Sequence, residues 1–293
     1  MTTQNIAGIA RAALLSNLTI STYTGRKMDR ATAEEVAAAK NAGSKHAVST
    51  YKSLFADSAE LKDVQSQAGF IRTLHYKLTL PWDDMGPRLL PTAKLLDYQK
   101  QMGDAIQAFD NCVAKFLNRY DTLVSVAAFK LGALFDRDEY PSREVLASKF
   151  RVHIAFAPLP TGGDFRLDIE TEVMDELAEK YNKMAETKLN EAMQDTWTRL
   201  HDILQRLSHV LRTPEEGEKR ARINSDVVEN ALDVCNLLSD LNLTKDPALE
   251  RARQALERAL TGVDVDTLRE SEEIKASTKK RVDDILGAYD WGV

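Results

Sequence analysis

The feature that most constrains this chain is a pair of long proline-free stripes. From Thr92 to about Phe135, apolar residues recur at alternating steps of four and three: Met102, Ile106, Phe109, Val113, Phe116, Tyr120, Leu123 and Ala127. That spacing keeps one seam on one face of a helix. A second stripe runs from about Ile169 or Glu172 to Arg212 through Leu177, Tyr181, Leu189, Met193, Trp197, Leu200, Leu204, Leu207 and Leu211, with one irregular step near Lys188. At 1.5 Å per residue the first rod would measure about 65 Å. Thr213 and Pro214 stop the second. The simplest packing lays the two antiparallel, aromatic residues of the first seam against leucines of the second.

The shorter elements fit around them. Ala31–Lys40 reads as a helix ending at Asn41–Gly43, and a further helix is predicted over about Lys45–Phe55. Asp57 with Glu60 three residues on has the form of a capping box, opening a helix that ends before Pro81. Leu18–Tyr23 alternates as a strand does. Phe150–Leu159 and Phe165–Ile169 flank a Gly162-Gly163 turn and predict a hairpin, with the early strand as a third member. Beyond the second rod, Glu215–Glu218 form a charged loop and Ser225–Leu241 a helix. Asp246 with Pro247 then opens a helix through Leu260, Gly262 breaks it, and a heavily charged last helix spans about Asp266–Leu286. The expected fold is mainly α (α+β): two long antiparallel helices, shorter packing helices and a small antiparallel sheet of two or three strands. Residues 1–212 are expected to form the core, and 213–293 a helical tail packing on that core or on a partner.

Thirteen glycines and eight prolines in 293 residues, with 43% hydrophobic content, argue against a disordered chain and against an all-β fold. The N-terminal apolar stretch is short and interrupted by Arg11, so it does not read as a signal peptide. No window approaches the roughly 20 apolar residues of a membrane span. Cys112 and Cys235 fall in helical patterns as small buried hydrophobes, which suits a reducing cytoplasm.

Charge is uneven: residues 1–150 carry 19 basic against 16 acidic side chains, and the remainder 20 against 29, net +3 and −9. Any polyanion contact is therefore expected in the N-terminal half, where Arg26, Lys27, Arg30, Lys45 and Lys52 are the candidates. The segment LTLPWDDMGPRLLP, Leu78–Pro91, specifies a rigid turn. Its Trp82, Asp83, Asp84 and Arg88 are candidate partner contacts, with a structural corner as the plainer reading. Adjacent acids without a histidine partner are weak grounds for acid–base chemistry. His46, His75, His153, His201 and His209 include no pair at metal-ligand spacing, and no phosphate loop or nucleophile elbow is present. No catalytic, cofactor-binding or metal-ligating set is predicted.

Taken together, LTLPWDDMGPRLLP, ALFDRDEYPSREVLASKF and FAPLPTGGDFRLDIE resemble a family of bacteriophage and prophage proteins catalogued as a domain of unknown function. The resemblance covers most of the chain. It implies a phage protein in the host cytoplasm, and an AAA+ ATPase partner of the MoxR type whose genes lie near that family. It carries no catalytic residues. The expected function is a non-enzymatic, self-associating scaffold or adaptor; the alternative is a nucleic-acid-binding or strand-annealing protein of phage recombination.

Overall fold

The computed structural model describes residues 3–44, 46–84, 86–160, 171–213, 223 and 226–292. In chain order these form α1 (Thr3–Ala12), β1 (Ala13–Ser21), β2 (Arg26–Met28), α2 (Arg30–Ala39), β3 (Tyr51–Ser53), α3 (Ala59–Leu78) and β4 (Arg88–Pro91). There follow α4 (Leu95–Asn118), α5 (Tyr120–Leu131), α6 (Arg143–Ala147), β5 (Arg151–Pro158), α7 (Thr171–Leu211), α8 (Asp226–Leu241), α9 (Pro247–Leu260), α10 (Val265–Glu270) and α11 (Glu272–Ala288). The protein is mainly helical, with a three-stranded sheet in the order β4-β1-β5 and a two-stranded sheet β2-β3. The expected third strand of the first sheet is thus present as β1. The other hairpin arm, Phe165–Ile169, and the loop Glu215–Glu218 lie outside the described residues.

The chain divides into two compact units. The first comprises Met1–Asn17, Tyr76–Tyr98 and Ala155–Val293. Its core is the C-terminal half of α7, where Leu200, Leu204 and Leu207 are fully buried. They pack in one cluster with Ala231, Cys235 and Leu238 of α8, Leu249, Ala252 and Leu256 of α9, and Val282 and Ile285 of α11. α9 starts where the sequence places it, because the Asp246 carboxylate accepts from the Ala248 and Leu249 amides at 2.8 and 3.4 Å and Pro247 gives up no needed donor. The expected last helix is two: Ser271 adopts φ −113°, ψ 106°, ending α10 and capping α11 through the Ile274 amide. Nor is α11 solvated all round, since Lys275 and Thr278 are buried beside Val282 and Ile285. The long stem of Lys275 lies along apolar surface and carries its charge to Glu272 at 3.9 Å.

The second unit comprises Leu18–His75 and Gln99–Ile154. Phe55 is its centre, with Phe116, Tyr120 and Tyr140 rings 5.5, 5.8 and 5.4 Å away. Two of these approaches are edge-to-face, the arrangement aromatic quadrupoles prefer. The Tyr120 hydroxyl donates to the Pro141 carbonyl at 2.6 Å and that of Tyr140 to the Leu54 carbonyl at 2.9 Å, so the buried phenols are satisfied.

Three expectations need correction here. The first rod is not continuous: Arg119 adopts φ −97°, ψ 1° and separates α4 from α5. Periodicity misses the step because a single interrupting residue leaves the phase of Phe116, Tyr120 and Leu123 unchanged. The two stripes also fall in different compact units, not in one shared core as the antiparallel pairing required. That of α7 is covered by α8, α9 and α11, whereas Phe109, Phe116 and Tyr120 lie in the other unit, two of them in its aromatic cluster. A seam fixes which face is buried, not what covers it. Finally, the helix expected over about Lys45–Phe55 is not formed by residues 46–55; β3 lies there, and the cap of α3 is Ser58, whose hydroxyl accepts from the Leu61 amide at 3.3 Å. Asp57, at φ +62°, has left the extended region a cap needs.

Candidate functional site

The Pro-Trp turn is an internal corner. Leu80 and Leu89 exchange two backbone hydrogen bonds at 2.8 and 2.9 Å, closing the loop, and Trp82 is buried. Arg88 donates to the Thr79 hydroxyl at 2.8 Å and stacks its guanidinium 4.7 Å over Tyr76. Beside it, Arg199 of α7 donates to the carbonyls of Tyr76, Lys77 and Thr79 at 3.0, 2.7 and 2.8 Å and pairs with Asp195 at 2.7 Å. Those carbonyls are the ones a helix end leaves unpartnered, so two guanidiniums close the C-terminus of α3. Asp83 accepts from Lys188 at 3.0 Å, and that hydrogen bond and charge pull its carboxyl below the usual range. Asp84 is exposed, and neither acid lines any of the clefts described below.

The basic candidates separate onto two sides of a ribbon. β2 pairs β3 with Arg26 opposite Ser53, Lys27 opposite Lys52 and Met28 opposite Tyr51. Because side chains alternate, Arg26, Met28, Tyr51 and Ser53 share one face, while Lys27 and Lys52 share the other. Lys52 is consumed internally, bonding Glu139 at 2.7 Å and the Leu134 carbonyl at 2.8 Å. Arg26, Lys27 and Arg30 are exposed; Lys45 lies outside the described residues. The first face borders a cleft of about 510 Å³ lined by Thr24, Arg26, Ser53, Ser58, Lys62 and Gln65 among others.

A second surface was not anticipated. α5 buries Tyr120, Leu123, Val124 and Ala127. The stripe Thr122, Ser125, Val126 and Phe129 has the same i, i+3, i+4, i+7 spacing and faces outward. Phe129 is 91% exposed and Val126 44%, with Leu134 beyond the helix end at 46%. The Ser125 hydroxyl donates to the Asp121 carbonyl one turn back at 3.0 Å, so covering this face would strand no donor there. The signal was present in the sequence as an aromatic residue off the seam register.

A cleft of about 950 Å³ between α7 and α8 is lined by Lys77, Ile203, Arg206, His209 and Val234, among others. Lys77 sits 3.7 Å from Asp233, and Arg199 is committed to α3, which leaves the walls mixed in charge. Among the described residues no cluster of His, Cys, Asp or Glu is placed to hold a metal ion, and no helix is long and apolar enough to cross a membrane. Both cysteines are free thiols, Cys235 buried and Cys112 half-buried. No protein-family model, curated protein or solved structure matches the chain.

Proposed function

We propose that this chain is a non-enzymatic helical scaffold or adaptor that self-associates through the outward face of α5. The observation that carries the reading is Phe129, a ring almost wholly in water on a stripe whose other members, Thr122, Ser125 and Val126, are uncharged. The occupant is a second copy because the stripe is self-complementary. A two-fold axis near its midpoint sets each Phe129 over Thr122 of the other copy and each Ser125 over Val126, a large residue against a small one. Burying one phenylalanine contributes about 2 kcal/mol, so two contribute about 4 kcal/mol, roughly a thousandfold in dissociation constant.

Light scattering over a wide concentration range tests this. The intact chain should weigh twice its 32.8 kDa at high concentration, and Phe129→Ser should weigh 32.8 kDa throughout. A monomeric wild type, or a Phe129→Ser dimer of unchanged affinity, would overturn the reading. The host-cytoplasm setting and a MoxR-type AAA+ ATPase partner belong to the same proposal and rest on the resemblance of the three motifs. Co-purification of such an ATPase with tagged protein from infected cells checks them.

A further inference from the structure

We infer that the cleft beside the β2–β3 ribbon takes one phosphate of a single-stranded nucleic acid, with the neighbouring base resting on Tyr51. The proposal is independent of self-association and rests on the register of the ribbon. Arg26 and Ser53 face each other across the two strands and both line the cleft. Lys62, in the first turn of α3, supplies a second cation to the lining. Neither Arg26 nor Lys62 makes an ion pair among the described residues, unlike Lys52, Arg119 and Lys130 of the same unit. Among the described residues one acid lines the cleft, Asp57; it is 86% exposed and sits 3.4 Å from Lys130, which offsets its charge.

Two unpaired cations with the hydroxyls of Thr24 and Ser53 make a pocket of phosphate chemistry. A ring completes it. Tyr51 is 60% exposed and Met28 opposite it 45%, both on the Arg26 face. Two residues along a strand span about 6.6 Å, so the ring stands within reach of the base whose phosphate the cleft would hold. Exposed rings beside a cationic track are how unstacked bases are held without sequence preference, whereas a duplex offers no free base face to such a ring. Strands of three residues suit one nucleotide rather than a groove. The net charge of −6 makes the attraction local to this patch rather than a property of the whole surface.

The test is fluorescence anisotropy with labelled oligothymidylate at low and moderate salt, a duplex of equal length, and competition by inorganic phosphate or thymidine monophosphate. Arg26→Glu, Lys62→Glu and Tyr51→Ala should each weaken single-strand binding about tenfold or more, and the charge reversals should flatten the salt dependence. Lys27→Glu, on the opposite face, should change it less than threefold. All four side chains are exposed or surface-facing, and an unchanged circular dichroism spectrum checks that the variants fold. Lack of wild-type binding, equal loss in Lys27→Glu, or no loss in Arg26→Glu and Lys62→Glu would overturn the site. Thymidine monophosphate competing as well, per nucleotide, as the oligomer would make it a free-nucleotide pocket and overturn the strand assignment.

Discussion

Replacing Arg199 by Met removes three hydrogen bonds and an ion pair at once while keeping most of the side-chain volume. The hydrogen bonds go to the carbonyls of Tyr76, Lys77 and Thr79 at the end of α3, and the ion pair is with Asp195, whose Oδ2 is buried. Charge-assisted hydrogen bonds contribute roughly 1.5–3 kcal/mol each but do not add, and stranding one member of a buried ion pair costs about 3–5 kcal/mol. The side chains are 20% and 33% exposed, so water re-solvates part of what is lost. The expected destabilisation is about 2–3 kcal/mol. Trp82, Trp197 and Trp291, the only three tryptophans, all lie in the same unit as Arg199, so indole fluorescence during urea unfolding reads that unit selectively. Asp195→Asn removes the charge that Arg199→Met strands, so the double variant should be more stable than the sum of the two single losses predicts, by about 1 kcal/mol or more. A loss below about 0.5 kcal/mol in Arg199→Met, or strict additivity, would refute the argument that this guanidinium closes the helix.

Asp246→Ala should destabilise the same unit by about 2 kcal/mol, since the carboxylate caps α9 and accepts the Trp197 indole N–H at 3.1 Å, and the tryptophan emission should shift with it. Burial, followed by the charge of Glu139, pushes the Tyr140 phenol up to about 12. The folded state therefore holds this proton more tightly than the unfolded one, and the associated stability, complete below pH 10, is lost as pH rises from about 10 to 12; circular dichroism melts should show a shallower decline in Tyr140→Phe. Burial pushes the Cys235 thiol up to about 11, so a thiol reagent at neutral pH should label Cys112 in the native protein and Cys235 only after denaturant is added.

How much of this was legible depends on whether one helix or several fixes the outcome. α7, α8 and α9 follow from stripes and caps contained in their own residues, and Asp246-Pro247 marks a start without reference to anything distant. The break at Arg119 leaves no trace in the apolar phase, and the division of Ser271 depends on a single extended residue. β2 and β3 are three residues each, with the sequences RKM and YKS, too short and too polar to alternate visibly. Their pairing nevertheless decides the candidate site, for it sends Lys27 and Lys52 away from Arg26 and brings Tyr51 alongside it. The prolines around Trp82 and Arg88 mark a rigid turn in the sequence, but the partners of those two side chains, Lys188 and Thr79, are beyond reach of sequence spacing. The outward stripe of α5 was readable in principle, yet a helix with apolar residues on both sides gives one seam only if its second is ignored.

Disulfide trapping probes the α5 face most directly. In a Cys112→Ser background, with Cys235 buried and unreactive, Ser125→Cys stands beside the proposed two-fold axis, one residue out of register with its own counterpart. Mild oxidation should yield a covalent dimer from Ser125→Cys at low concentration, and none at the same rate from Glu34→Cys on the exposed side of α2. Equal rates from the two positions, or no dimer from Ser125→Cys, would contradict the account.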